Sequence, residues 1–324
     1  MIALAATLFL SVLLCWLYLK LARRRQWLDR PNERSSHHTA TPHGGGTALL
    51  LAFMLGLLLA APWDGSYVLL ACVALLLTLV GVVDDLWNLS VRLRMLLYLV
   101  CCALLAWSWL PVDAPWGWLS TGVVVFAMLW FLNLYNFMDG IDGIAATQCS
   151  VACVSVALLS WVGGGGGGGS NAYALFCLLL AAAHVGFLVW NWPPARLFMG
   201  DAGSVPTGFL LAGLALLGAL QGLLNPLCWV ILLAAFITDA SWTLLWRLFS
   251  GQPVTQPHRL HAYQRLSRHW QSHLLVDLLL LAINALWLFP LAWAAQSMPE
   301  HALIMVILAY LPLLWGMVKI GDFA

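Results

Sequence analysis

Residues 119–162 read L-S-T-G-V-V-V-F-A-M-L-W-F-L, then N-L-Y-N-F-M-D-G-I-D-G over 133–143, then I-A-A-T-Q-C-S-V-A-C-V-S-V-A-L-L-S-W-V. The two apolar runs each approach the roughly 20 residues that cross a bilayer as a helix. Between them lie Asn133 and Asn136, three apart, and Asp139 and Asp142, also three apart. On a helical backbone each pair shares a face. Gly140 and Gly143 let a bound group approach the main chain. Four polar side chains against an apolar wall are costly to bury without partners. The stretch is therefore either a polar loop at a membrane surface or part of a site.

The rest of the chain repeats this alternation. Of 324 residues, 63% are hydrophobic and 8% charged, with mean hydropathy +0.90. A soluble domain carries roughly 25% charged residues, so this composition predicts an all-α, polytopic integral membrane protein. Eleven spans are expected, near 2–21, 45–62, 67–83, 93–110, 118–133, 144–162, 172–190, 204–222, 226–247, 273–294 and 302–319. No internal repeat is evident, and the chain reads as a single domain. Its eight cysteines lie in apolar runs without metal-type spacing, so they are read as packing residues. A net charge of +1 gives no argument for nucleic acid. The basic cluster Arg23, Arg24 and Arg25 follows the first apolar run rather than preceding it, which suits an anchor helix and not a cleavable signal.

Alternating the loops puts all 14 Lys and Arg on one side. The opposite connections hold only Asp64, Asp113 and Glu300 as charges. By the positive-inside rule the N-terminus lies outside and the C-terminus in the cytoplasm. The glycine run at 163–169 falls in an outer loop and lacks the Lys-Ser/Thr of a phosphate loop, so it is read as flexible linker.

The cytoplasmic connections, near 22–45, 84–92, 133–143, 191–203 and 248–272, also hold the unusual polar residues. The first, D-R-P-N-E-R-S-S-H-H-T-A-T-P-H-G-G-G, offers Arg34, His37, His38 and His43, then a glycine-rich helix entry that suits an anion. The second ends a span with Asp84 and Asp85, a repelling pair that needs a cation or a shared proton if it is functional. The third is the opening stretch. The fourth, R-L-F-M-G-D-A-G-S, sets Asp201 at a helix start, either as a magnesium ligand near phosphate or as a helix cap. The fifth, P-H-R-L-H-A-Y-Q-R-L-S-R, clusters His258, Arg259 and His261, groups that bind phosphate oxygens. Each loop alone could be solvated membrane edge. Together, carboxylates for a metal and Arg/His for phosphate describe phosphoryl transfer.

These five segments, in this order on alternate connections, resemble the polyprenyl-phosphate N-acetylhexosamine-1-phosphate transferases. The resemblance implies transfer of a sugar-1-phosphate from a UDP-N-acetylhexosamine to undecaprenyl phosphate, with release of UMP, at the cytoplasmic face of a bacterial inner membrane. It implies Mg2+, with Mn2+ as a substitute. It places Asp84 on the lipid phosphate with Asp85 beside it, and Asp201 on the metal. Asn133, Asn136, Asp139 and Asp142 fall where the family meets nucleotide and metal, so Asp139 and Asp142 join the metal candidates. His258, Arg259 and His261 match the loop that meets diphosphate and sugar, with Arg34 and His37 as first-loop counterparts. Ser35 stands where relatives often have lysine. H-R-L-H replaces the triple histidine of the peptidoglycan enzyme, so an O-antigen-type donor (GlcNAc, FucNAc or QuiNAc) is expected over a muramoyl-pentapeptide. A secondary transporter is the rival class, but its polar residues should sit at the bilayer midplane. Apolar helix faces fit lipid or a second copy equally, which leaves a homodimer open.

Overall fold

The computed structural model describes residues 1–29, 39–111, 113, 115–163, 168–253 and 258–321. The helices are α1 (Ile2–Arg25), α2 (Gly46–Ala60), α3 (Gly65–Trp87), α4 (Val91–Trp109), α5 (Gly117–Phe137), α6 (Ile144–Gly163), α7 (Gly168–Asn191), α8 (Asp201–Leu220), α9 (Pro226–Leu232), α10 (Ala234–Phe249), α11 (Ala262–Trp270), α12 (His273–Ile283), α13 (Phe289–Ser297) and α14 (Ala302–Gly321). A π-helical segment, Asn284–Leu288, joins α12 to α13 within one span. Two short strands, β1 (Leu28–Asp29) and β2 (Thr41–Pro42), pair antiparallel.

All eleven apolar regions are helical, and two depart from plain spans. Among the described residues nine helices are long and apolar enough to cross a membrane. The region expected at 226–247 is instead α9 and α10, bent by 71° at the break. The region at 45–62 yields only the 15 residues of α2. It stops at Ala60 because Ala61 precedes Pro62, and a residue before proline is pushed out of the α region.

The ends are set locally. The Asp64 carboxylate accepts the Ser66 amide at 2.8 Å and starts α3. At the other end Asn88 takes a left-handed φ of 51° and its amide returns to the Asp84 carbonyl at 2.8 Å. Ser90 then caps α4 through the Leu93 amide at 3.3 Å. This tight turn brings the start of α4 back beside the end of α3.

α6 and α8 form the buried heart, 78% and 72% enclosed, while α14 is 6% enclosed and presents its apolar side chains outward. Glycine permits the closest crossings. A Cβ on Gly46 would lie 2.2 Å from the Gly203 Cα, and one on Gly81 would lie 2.5 Å from the Ala202 Cα. The starts of α2 and α8 and the end of α3 thus touch backbone to backbone. That crossing gathers the polar connections at one end of the bundle.

Candidate active site

A cavity of about 670 Å³ opens at this end. It is lined by six aspartates (Asp29, Asp84, Asp85, Asp139, Asp142 and Asp201), one guanidinium (Arg94) and two imidazoles (His43 and His273). Asn88, Asn136, Asn191 and Gln264 complete its polar wall. Side chains from all five connections expected to form the site line it, the first through Asp29 and His43 and the fifth through Gln264.

The adjacent Asp84 and Asp85 do not share a partner. Asp84 accepts the Leu89 amide at 2.7 Å through Oδ1, and Arg94 Nη1 through Oδ2. Asp85 turns the other way and accepts the amides of Asp201 at 3.1 Å and Ala202 at 3.3 Å. It therefore satisfies the unpaired N–H groups that begin α8. The cap of α8 is Asp85, from another helix, and not Asp201. The Asp201 carboxylate is left to face the cavity, where its Oδ2 accepts Arg94 Nη1 at 2.9 Å. One guanidinium nitrogen thus bridges Asp84 and Asp201.

Asp142 Oδ2 accepts the Ala195 amide at 3.0 Å and lies 3.2 Å from His273 Nδ1. The Asn136 carbonyl oxygen accepts the Ser204 hydroxyl at 2.9 Å. Asp139 differs from all of these: no donor among the described residues reaches its carboxylate. Burial, and then the charges of Asp201, Asp85 and Asp142, hold its carboxyl well above the usual carboxylate range. A carboxylate set so far in excess of its counter-charges fits a hard divalent cation with oxygen ligands. Among the described residues no three His, Cys, Asp or Glu converge into a closed cage.

Two further cavities adjoin. An apolar groove of about 670 Å³ runs between α4, α5 and α10, lined by Met95, Tyr98, Phe126, Trp130, Leu245 and Leu248, with His258 and His261 at its polar end. It shares Arg94, Asn136 and Gln264 with the acidic cavity. The other, of about 680 Å³, is lined by Arg259, Arg268, Thr41 and Gln271, and shares Asp142, Phe198 and His273 with the acidic cavity.

So Asp84, Asp85, Asn136, Asp139, Asp142 and Asp201 stand together. Asn133, His258 and His261 lie in the groove, and Arg259 in the basic cavity. The Asn133 amide is spent on the Leu129 carbonyl at 2.7 Å, one turn back on its own helix. Arg34 and His37, with His38, lie outside the described residues. At the glycine-rich entry to α2, the amides of Gly45 and Gly46 donate to the carbonyls of Phe198 and Met199 at 2.9 and 2.8 Å, and Gly46 serves the close crossing with Gly203.

Arg94, Asp239, Gln264 and His273 stand outside the site residues expected from the sequence, the last of them beside Asp142. Arg94 was counted only as a topology charge, although a cation in the first turn of a helix opposes the helix dipole and so signals a specific partner. Asp239 stands alone in an apolar run, itself a warning sign. Its oxygens accept the amides of Ala262 at 2.9 Å and Tyr263 at 3.0 Å, starting α11, and Oδ1 lies 3.1 Å from His261 Nδ1. That fixes the ring and leaves Nε2 for the groove. Gln264 carried no signal at all.

The profile of Glycosyl transferase family 4 matches residues 67–219. That stretch runs from α3 through α8 and holds every aspartate of the cavity except Asp29.

The chain belongs to the polyprenyl-phosphate N-acetylhexosamine-1-phosphate transferase family.

Among its relatives is a probable undecaprenyl-phosphate N-acetylglucosaminyl 1-phosphate transferase of Bacillus subtilis, 27% identical over 76% of this chain and 71% of the relative. An undecaprenyl-phosphate alpha-N-acetylglucosaminyl 1-phosphate transferase of Escherichia coli O157:H7 is 27% identical over 90% of this chain and 84% of its own length. A phospho-N-acetylmuramoyl-pentapeptide-transferase of a Synechococcus species is 33% identical over 67% of this chain and 66% of the relative. Members of this transferase family thus cover nearly the whole chain, including the parts outside the profile.

Proposed function

We propose that this protein transfers an N-acetylhexosamine-1-phosphate from its UDP-sugar to undecaprenyl phosphate at the cytoplasmic face of a bacterial inner membrane, releasing UMP and starting a cell-surface polysaccharide such as O-antigen. One observation carries the reading. The acidic cavity and the apolar groove share a wall made by Arg94, Asn136 and Gln264. A reactant with a long hydrocarbon tail and a phosphate head has its two halves met on either side of that wall.

The chain's residues divide the work. The groove between α4, α5 and α10 takes the polyprenyl tail and leaves its phosphate at Arg94. Arg94 draws that anion toward Asp84 and Asp201, whose charges it offsets. Asp84 orients the attacking oxygen. That oxygen forms a bond to the phosphorus next to the sugar, the anhydride bond to the UMP phosphate breaks, and UMP leaves with the electron pair. One anhydride is made and one broken, so the step is readily reversible. Asp201 and Asp139, with Asp142 behind them, would hold Mg2+, which neutralises the donor diphosphate when bound. The basic cavity at Arg259 and Arg268 receives the part of the donor beyond Asp142. His261, held by Asp239, keeps its other nitrogen for the groove.

The transporter reading fits less well. The carboxylates of the cavity sit at helix ends, not mid-span. Asp239, on the broken pair α9 and α10, has both oxygens occupied by main-chain amides. The test is an assay of purified protein with undecaprenyl phosphate and a panel of UDP-sugars, scored by UMP. UMP release that requires both substrates and Mg2+ is expected. Release only with the muramoyl-pentapeptide donor would move the protein to the peptidoglycan branch, and none with any donor would remove the assignment.

A further inference from the structure

Of the three side chains common to the acidic cavity and the groove, two are engaged. Arg94 is held by Asp84 and Asp201, and the Asn136 oxygen by Ser204. Gln264 is the third. The residue is 8% exposed, and its Oε1 is buried with no hydrogen-bond partner among the described residues. The residue is well fixed. It lies in the first turn of α11, which Asp239 anchors, and the neighbouring Tyr263 hydroxyl donates to the Phe137 carbonyl at 2.9 Å. A Cβ on Gly140 would stand 3.1 Å from Gln264 Nε2, so the amide lies against the turn after Asp139. A buried acceptor left empty is costly, and native structures seldom leave one without a purpose.

We infer that Gln264 accepts a hydrogen bond from the transferred sugar, through a ring hydroxyl or the acetamido N–H, and so helps select the donor. The inference rests on the transferase reading. It follows from which atoms at the junction can donate. The ionised lipid phosphate and the donor diphosphate offer acceptors only. The uridine is set apart from the attacked phosphorus by a second phosphate. The sugar is bonded to that phosphorus through one oxygen, and it carries hydroxyls and an amide N–H within a few bonds. The attacked phosphorus must sit where the two cavities meet, because the acceptor arrives from one and the donor from the other. The sugar is then the reactant whose donors can reach Oε1. A site built to hydrogen-bond a substrate discriminates strongly against ligands that leave it unpaired.

The experiment compares wild type with Gln264→Leu, which keeps the bulk and removes the amide. It measures kcat/KM for the UDP-N-acetylhexosamine that the wild type uses best, KM for undecaprenyl phosphate, and the inhibition constant of UMP, which lacks the sugar. Loss of the sugar contact should lower donor kcat/KM by about tenfold or more, while acceptor KM and UMP inhibition stay within about twofold. Unchanged donor kcat/KM overturns the inference. So does an equal loss of UMP affinity, which marks Gln264 as structural. Should the leucine variant not accumulate as folded protein, Gln264→Asn, which withdraws the amide by one methylene, is read the same way. A wild type silent with every donor fails the transferase reading itself and is seen before any variant is made.

Discussion

Arg94 Nη1 lies 2.9 Å from Asp201 Oδ2, joining the start of α4 to the start of α8 across the mouth of the cavity. The same nitrogen is bonded to Asp84 at the end of α3. Three helix ends are thus tied through one planar cation. A lysine supplies the charge, but as a compact, strongly hydrated ammonium in place of the delocalised guanidinium plane. Arg94→Met should abolish UMP release, and Arg94→Lys should retain a small fraction of it. Purified variants assayed at saturating donor and graded acceptor will show whether the loss lies in turnover. Full activity in Arg94→Met would remove the residue from the reaction.

Asp139 gives a pH dependence with a defined sign. Its carboxyl titrates above the usual range because of burial and of its acidic neighbours. In the unfolded chain it ionises near 3.9. Between the two values the folded state holds the extra proton, so stability falls as pH rises through the folded value. Metal-free wild type should melt at a lower temperature at pH 8 than at pH 5. In Asp139→Asn that difference should shrink. Adding Mg2+ at pH 8 should raise the melting temperature of wild type more than that of the variant, since ligand binding to the folded state stabilises it. Identical Mg2+ responses would take Asp139 out of the metal set.

Gly81 tests the crossing that assembles the site. A Cβ there would meet the Ala202 Cα at 2.5 Å and the Ala202 amide nitrogen at 2.5 Å. Both are backbone and cannot rotate away. Gly81→Ala should cost about 1–3 kcal/mol of stability, typical of overpacking. It should also displace the start of α8, lowering activity beyond what the stability loss explains. A thermal melt beside a turnover assay at 20 °C separates the two effects.

Met95 tests the groove. It lines the apolar cavity and is not among the residues of the acidic one. Met95→Trp should fill part of the channel and raise KM for undecaprenyl phosphate several-fold, leaving donor KM near its wild-type value. A shorter polyprenyl phosphate should be less affected than the full-length lipid. Equal effects on both substrates would place the tail elsewhere.

Much of the fold could be read directly from the chain. A span is announced by about 20 consecutive apolar residues, a local property, and α3, α4 and α9 begin at the capping residues Asp64, Ser90 and Asn225. The break at Leu233 could not be read, because apolar composition is the same in a straight and a bent span. The carboxylates of the cavity were legible because isolated acids in so apolar a chain need a reason. Gln264 was not, since a glutamine in an amphipathic stretch is ordinary until its surroundings are known.

The amino-acid sequence by itself determined that this is a helical membrane protein with its polar residues on alternate connections, and named most of the acids that line the cavity. Hydrophobicity and residue type are carried by each segment alone, so no knowledge of the partners was needed. Only the tertiary structure decided what each acid does. Asp84 and Asp85 are neighbours in sequence, yet one faces Arg94 and the other caps α8. That division depends on which backbone amides and cations other helices bring near, through glycine crossings that span more than a hundred residues of chain.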